Sequence, residues 1–518
     1  MPKKDVEHTL TKTALRVSGM GYDVARVRGS IPSLGDGWIH LDPQHGMQIP
    51  DRVSTAVSTA FRGSAPTHTS GHMSSRRSAG LLDAARQAVA DLVGGDPAGV
   101  VLGPDRATML AWLAESLSSR LGLGTGLVLS RLDEEANVAP WLRVANRYGA
   151  QVRWAEGGID TCELPSWQFE ELITATTRLV AMTAASPIVG SAPDVRAAAD
   201  LVHAVGGHIV VDAAGAAPYA HVDINELAAD VLAVDASAWG GPQVGALVFR
   251  DPAMLDRIPS MSLDPFAKGA ARLELAGHQY ALLAGVVSSI DYLANLDDAA
   301  TGTRRERLDL SIGSLQDYHD RLFDYLMRSL EKLDHVMVLG DAPSRIPTLS
   351  FTVADTSAEK VSEHLAQNRI GTVSGVHSGS RLLDALGVND EGGAVTIGLA
   401  PYTTRYEIDQ LVNNDFAAYY SENPAGSFAL SVWVNNAWIA VQCIASAVLL
   451  GIPIPWVLYN NALNLGLSAG LMFGAGKGDV FLGLITPHGL IELTAVFLAA
   501  GAGMRLGWSA ISPGARPR

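Results

Sequence analysis

With 518 residues and a formal net charge of −15, the chain is too long for one ordinary domain and too acidic for a nucleic-acid surface. Its two cysteines, Cys162 and Cys443, lie far apart and outside any CxxC or Cys/His cluster, so neither a disulfide framework nor a zinc site is supported. The N-terminus, MPKKDVEHTLTK, is charged and lacks the apolar core of a secretory signal; residues 1–19 read as a disordered tail or an over-extended start. Turn-rich text at 20–50 leads into helical periodicity at 78–92 and the apolar run VVLG. Strands are predicted at 126–132, 151–155, 178–183, 208–212, 231–234 and 244–249, with helices at 106–120, 134–148 and 195–205 between most of them. This alternation predicts an α/β fold with a mainly parallel, doubly wound sheet. After Gly269, long amphipathic helices at 273–296 and 303–333 precede short strands (336–339, 348–353, 394–399) and helices (357–368, 405–411). The expected plan is a large domain at about 50–270 and a small α+β domain from 20–49 and 271–411.

From 423 to 476 there is no charged side chain, and after Lys477–Asp479 the apolar pattern resumes to about Gly503. That length predicts two or three transmembrane helices at about 20 residues each, the alternative being a buried helical core.

One stretch carries most of the functional argument. In ADVLAVDASAWGGPQVGALVFRD (229–251) two apolar runs flank a tight Gly/Pro loop at 237–243. It resembles the cofactor-lysine hairpin of the class V aminotransferase and cysteine desulfurase family, fold-type I enzymes of pyridoxal phosphate (PLP), whose loop reads Ser-x-His-Lys-x-x-Gly-Pro. Aligned on Gly241-Pro242, the family's histidine falls on Ser237 and its Schiff-base lysine on Ala238. The resemblance extends over about 20–411. IVVDAAGAAPYAHVDI is similar to the strand whose aspartate pairs with the pyridine nitrogen, a role that falls on Asp212 and would strengthen the ring as an electron sink. ANVAPW follows the position of the ring-stacking histidine, ARLELAGHQ resembles a segment near the dimer interface, and Tyr402-Thr403-Thr404 resembles a late Tyr-Asn-Thr turn. The resemblance implies PLP as cofactor and a homodimer.

The reactive residues depart from the pattern. The family's Glu-His-His-Ala-Asn becomes Asp133-Glu134-Glu135-Ala136-Asn137, and its phosphate cup falls on Asp105-Arg106-Ala107. Asp105 would oppose a phosphate at that helix start, and Arg106 would partly compensate; Arg106 and Asp212 are the candidate cofactor-binding residues. Pro187, Gly215, His278 and Thr396 stand where the family has Asn, Gln, Thr and a substrate-binding Arg, and 371–378 holds no cysteine. No lysine occurs between Lys12 and Lys268, and Lys268 sits in surface-loop text unsuited to activating an amine by desolvation. Covalent PLP chemistry is therefore not expected, and no catalytic residue is assigned. The expected function is that of a pseudoenzyme holding a small-molecule ligand or a partner in the vestigial cleft. The alternatives are a PLP-dependent enzyme with an unusual site, and a membrane protein whose soluble part is regulatory.

Other groupings leave two readings each. Asp133, Glu134 and Glu135 are either paired acid/base carboxylates or a helix cap and dipole match. His40, His45, His68 and His72 either line the cleft or are solvated, with no metal-ligand spacing. The GLGTG at 122–126 precedes a strand instead of following one and fails as a dinucleotide fingerprint.

The C-terminal text, about 413–511, resembles the membrane domain of the stage II sporulation protein M family through its Asn pairs and a Pro-His-Gly-x-x-Glu string. Asn435, Asn436, Asn460, Asn461, Asn464, His488 and Glu492 are polar groups in apolar spans. They serve either as interhelical glue or in a transport or proton-relay role, and His488 and Glu492 share a helix face. The expected setting is the membrane, in contact with lipid, with the N-terminal domain cytoplasmic. No linker separates YEIDQLV from the NNDF that begins at Asn413, so a joined reading frame is a further alternative.

Overall fold

A computed structural model describes residues 22–376, 379–389, 392–412, 438–460, 462–463 and 478–512, the side chains of 478–493 and 510 excepted. The chain divides into two compact units at Leu411/Val412.

The first unit is built on a seven-stranded sheet. Its elements in chain order are α1 (Asp51–Gly63), α2 (Met73–Val93), β1 (Val100–Gly103), α3 (Arg106–Ser116), β2 (Gly126–Ser130), α4 (Glu135–Tyr148), β3 (Gln151–Ala155), β4 (Thr177–Thr183), α5 (Val195–Ala204), β5 (His208–Asp212), β6 (Val231–Asp235) and β7 (Gly245–Phe249). The strand order is β1-β7-β6-β5-β4-β2-β3. All neighbours are parallel except those of β7, which is antiparallel to both β1 and β6. The short loop after β6 has no room for a crossover, so β7 must return as a hairpin. Strands β2 and β7 are buried at every position, as continuous apolar runs must be when both faces of a sheet are covered. One core lies on each face; Trp141 belongs to one and Trp239 to the other.

Helix α6 (Tyr280–Leu293) packs on α1 and α2, and α7 (Arg304–Leu330) opens on a capping box in which Thr303 and Glu306 exchange bonds. The helix expected at 273–296 begins only at Tyr280. Upstream of it, Glu274 is buried and takes both Nη2 contacts of Arg86 at 2.8 Å, so the segment follows this ion pair and not the helical period. Strands β8 (Val336–Leu339), β9 (Thr348–Val353), β10 (Val373–Gly375) and β11 (Ala394–Gly398) follow, with helix α8 (Ala358–Gln367) between β9 and β10. These four form a separate antiparallel sheet in the order β10-β11-β9-β8.

In the second unit, helix α9 (Gly478–Ile511) carries His488 and Glu492 on its backbone. Ile439, Cys443, Ile454, Val496 and Ala500 form a small core. At Gly503 an added Cβ would lie 2.2 Å from the Cys443 carbonyl oxygen, so only glycine permits that approach. Among the described residues, no helix is long and apolar enough to cross a membrane, and the expected spans therefore stand without a described counterpart. Asn435, Asn436, Asn461 and Asn464 lie outside the described residues, as do the tail at 1–19 and the junction at 413; Asn460 donates to the Trp456 carbonyl at 3.0 Å.

Candidate functional site

The carboxyl ends of β5 and β6 meet the first turns of α3 and α4, the usual location of ligand sites in such sheets. Asp235 ends β6 and folds the chain into the turn that follows: its Oδ1 accepts from the Ser237 amide at 3.1 Å and hydroxyl at 2.6 Å. Its Oδ2 accepts from the Arg106 backbone N–H at 3.0 Å. Asp105 caps α3 by accepting from the Thr108 amide at 2.8 Å and hydroxyl at 2.7 Å. The helix start thus has two carboxylates of its own chain on its free N–H groups. Gly245 makes this approach possible, since a Cβ there would lie 2.3 Å from the Asp105 carbonyl carbon and 2.4 Å from the Arg106 nitrogen.

The Arg106 side chain turns inward. One Nη binds Asp212 Oδ2, and the other binds Glu134 Oε2 at 2.5 Å. Asp212 is 3% exposed, and its other oxygen accepts from the Ala214 amide at 3.1 Å. Burial works against every charge in this group. For Arg106 the two carboxylates outweigh it and hold the guanidinium charged well above its ordinary range. Asp133, 1% exposed, accepts from Asn137 Nδ2 at 2.7 Å, and burial pushes its carboxyl up to about 8.

Beside Arg106 lies a cavity of about 120 Å³ whose lining includes Gln44, His45, Glu134, Asp235, Tyr219 and Ala238. Small-molecule sites commonly measure roughly 300–1,000 Å³, so this one is narrow and partly open to solvent. Pro187, Gly215 and Ser237 also face it, and no lysine is among its lining residues.

The other sequence candidates are dispersed. Glu134 takes the N-cap position of α4 without a side-chain cap bond, and Glu135 lies in its first turn, where a carboxylate matches the helix dipole, and pairs with Arg381 at 2.6 Å. His40 contacts Gln48, His68 contacts the Tyr280 hydroxyl at 2.6 Å, and His72 caps α2, leaving His45 at the cavity. His278 sits 3.1 Å from Glu274, Thr396 shares a buried hydroxyl contact with Ser350, and Lys268 is exposed. Among the described residues, no group of three His, Cys, Asp or Glu side chains could hold a metal. Sequence reasoning missed Asp235; the Asp-x-Ser at the strand end, an Asx-turn pattern, was its available signal.

Fold and sequence together place the chain in the class V aminotransferase family, whose model matches residues 39–411. The model of stage II sporulation protein M matches residues 372–518. A protein of Mycobacterium tuberculosis (strain CDC 1551 / Oshkosh), uncharacterized protein MT3887, is 57% identical over 393 residues, covering 76% of this chain and 98% of that protein. The aminotransferase-like protein FGM3 of Gibberella zeae is 27% identical over 406 residues, 76% of this chain and 98% of that one. The apo cysteine desulfurase of Thermococcus onnurineus NA1 superposes with a TM-score of 0.67 at 21% identity, covering 77% of this chain and 97% of its own. Family membership implies PLP. The residues present do not fit it: Ala238 has no amine, Asp212 is taken by Arg106, and the α3 start faces Asp105 and Asp235.

Proposed function

We propose that this chain is a non-catalytic member of the class V aminotransferase family, binding a small ligand or a partner, with a C-terminal unit that associates with a membrane. The carrying observation is Ala238 facing the cavity where the family's Schiff-base lysine would stand, with no lysine lining that cavity. Lys268 is exposed and lies outside the lining of that cavity. The test is the visible absorption of the full chain mixed with PLP, before and after borohydride, with mass mapping of any adduct. A stable aldimine band mapped to one lysine would replace this reading with that of a PLP enzyme; free PLP recovered on dialysis supports it.

Membrane association is supported by the match to the sporulation protein M model and by the surface of the second unit. There Trp438, Val448, Ile452, Trp456, Leu498 and Trp508 are all exposed, an apolar surface that water disfavours and lipid accepts. Removing residues 413–518 should abolish co-sedimentation with membranes. The cytoplasmic side for the first unit is part of the same proposal. Homodimerisation is proposed from an open apolar groove on the first unit, lined by Ile49, Val53, Val57, Phe61, Pro242 and Leu282, with Phe61 62% exposed. Light scattering of detergent-solubilised protein tests it, and a monomer at all concentrations would refute it.

A further inference from the structure

The charges that would have to receive PLP are already satisfied by the chain itself. We propose that the Arg106 guanidinium is a built-in counter-ion for Asp212, which together with Asp105 and Asp235 at the start of α3 makes the domain self-sufficient and closed to PLP. This rests on the non-catalytic reading and extends it from a missing lysine to a replaced cofactor.

Three observations converge. At one end, Asp212 is buried and its Oδ2 is bound to Arg106, so a pyridinium would have to displace a charged hydrogen bond already in place. At the other, Asp235 accepts from the Arg106 amide and Asp105 from the Thr108 amide. An arriving phosphate, with about −1.5 to −2 charge near neutral pH, would meet two carboxylates at a helix start that ordinarily attracts anions. Between the ends, Arg106 spans from its backbone N–H on Asp235 to its side chain on Asp212 and Glu134, so one residue joins both halves of the site. Gly245 is the backbone provision for this, because any side chain there would push α3 away from β7.

A buried carboxylate left without its partner is far more costly than the loss of both partners together. In the full chain, Arg106→Met keeps the volume but strands Asp212, and its Tm should fall by on the order of 5–10 °C. Adding Asp212→Asn should recover at least half of that loss, and the double variant should fold even if the single one does not. Wild type should retain no PLP through dialysis, and its Tm should not move with added PLP. The proposal is overturned if Arg106→Met melts with wild type, if Asp212→Asn brings no recovery, or if wild type retains PLP or is stabilised by it. Retained PLP that borohydride fixes to a lysine would overturn the non-catalytic reading as well. Retained PLP that remains removable after borohydride would overturn the counter-ion proposal alone.

Discussion

Replacing Asp133 with Asn should make the first unit more stable, and increasingly so as pH rises. The folded carboxyl is raised from 3.8 to about 8, first by burial, with the Asp212 charge also acting to raise it and Asn137 opposing. Between those values the folded chain holds a proton that the unfolded chain has released, so stability falls as pH rises. Each pH unit in that window costs about 1.4 kcal/mol, and the interval from pH 5 to pH 7 therefore costs roughly 2.7 kcal/mol. Asparagine keeps an oxygen for the Asn137 donor and has no proton to lose. The difference in Tm between Asp133→Asn and wild type should grow by about 5 °C between pH 5 and pH 7, given the few degrees per kcal/mol typical of larger domains. Calorimetry of the full chain at the two values is the assay. A difference that stays constant, or shrinks as pH rises, would refute the assignment of a buried, protonated Asp133.

His319 should act in the opposite sense. It is 2% exposed, its Nε2–H donates to the Ala400 carbonyl oxygen at 3.1 Å, and burial lowers its pKa to about 4. The unfolded chain takes up a proton below about 6.5 that the folded chain refuses, so acidification to pH 4 should cost up to roughly 3 kcal/mol. His319→Gln should flatten that acid limb in urea titrations. Gly245→Ala should destabilise the unit by about 1–3 kcal/mol or more through overpacking against the α3 backbone, a loss that denaturant midpoints would register. Arg86→Met, which leaves buried Glu274 with only His278 and the Leu102 amide, should cost about 3–5 kcal/mol by the same measurement. Ala238→Lys alone should give no aldimine absorbance with PLP while Arg106 holds Asp212, and the appearance of a stable band would contradict the closed site.

Much of the first unit is legible in the one-dimensional pattern. Alternating apolar runs and helical periods mark the strands of the large sheet, and the Gly241-Pro242 loop marks the hairpin that makes β7 antiparallel, because backbone period and turn chemistry are local properties. The loss of the lysine is equally local, since Ala238 has no amine in any fold. The helix start at Tyr280 was not legible: the ion pair that holds the preceding segment irregular joins Glu274 to Arg86, 188 positions away. The site shows the same limit most sharply. Arg106 and Asp212 were each identifiable as candidates for holding a cofactor, yet their bond to one another spans 106 positions, and Glu134 joins it from a third element. Sequence determines which charges a chain carries, whereas only the packing of β5, β6, α3 and α4 decides which of them neutralise each other, because electrostatic pairing depends on distance in space and on exclusion of water.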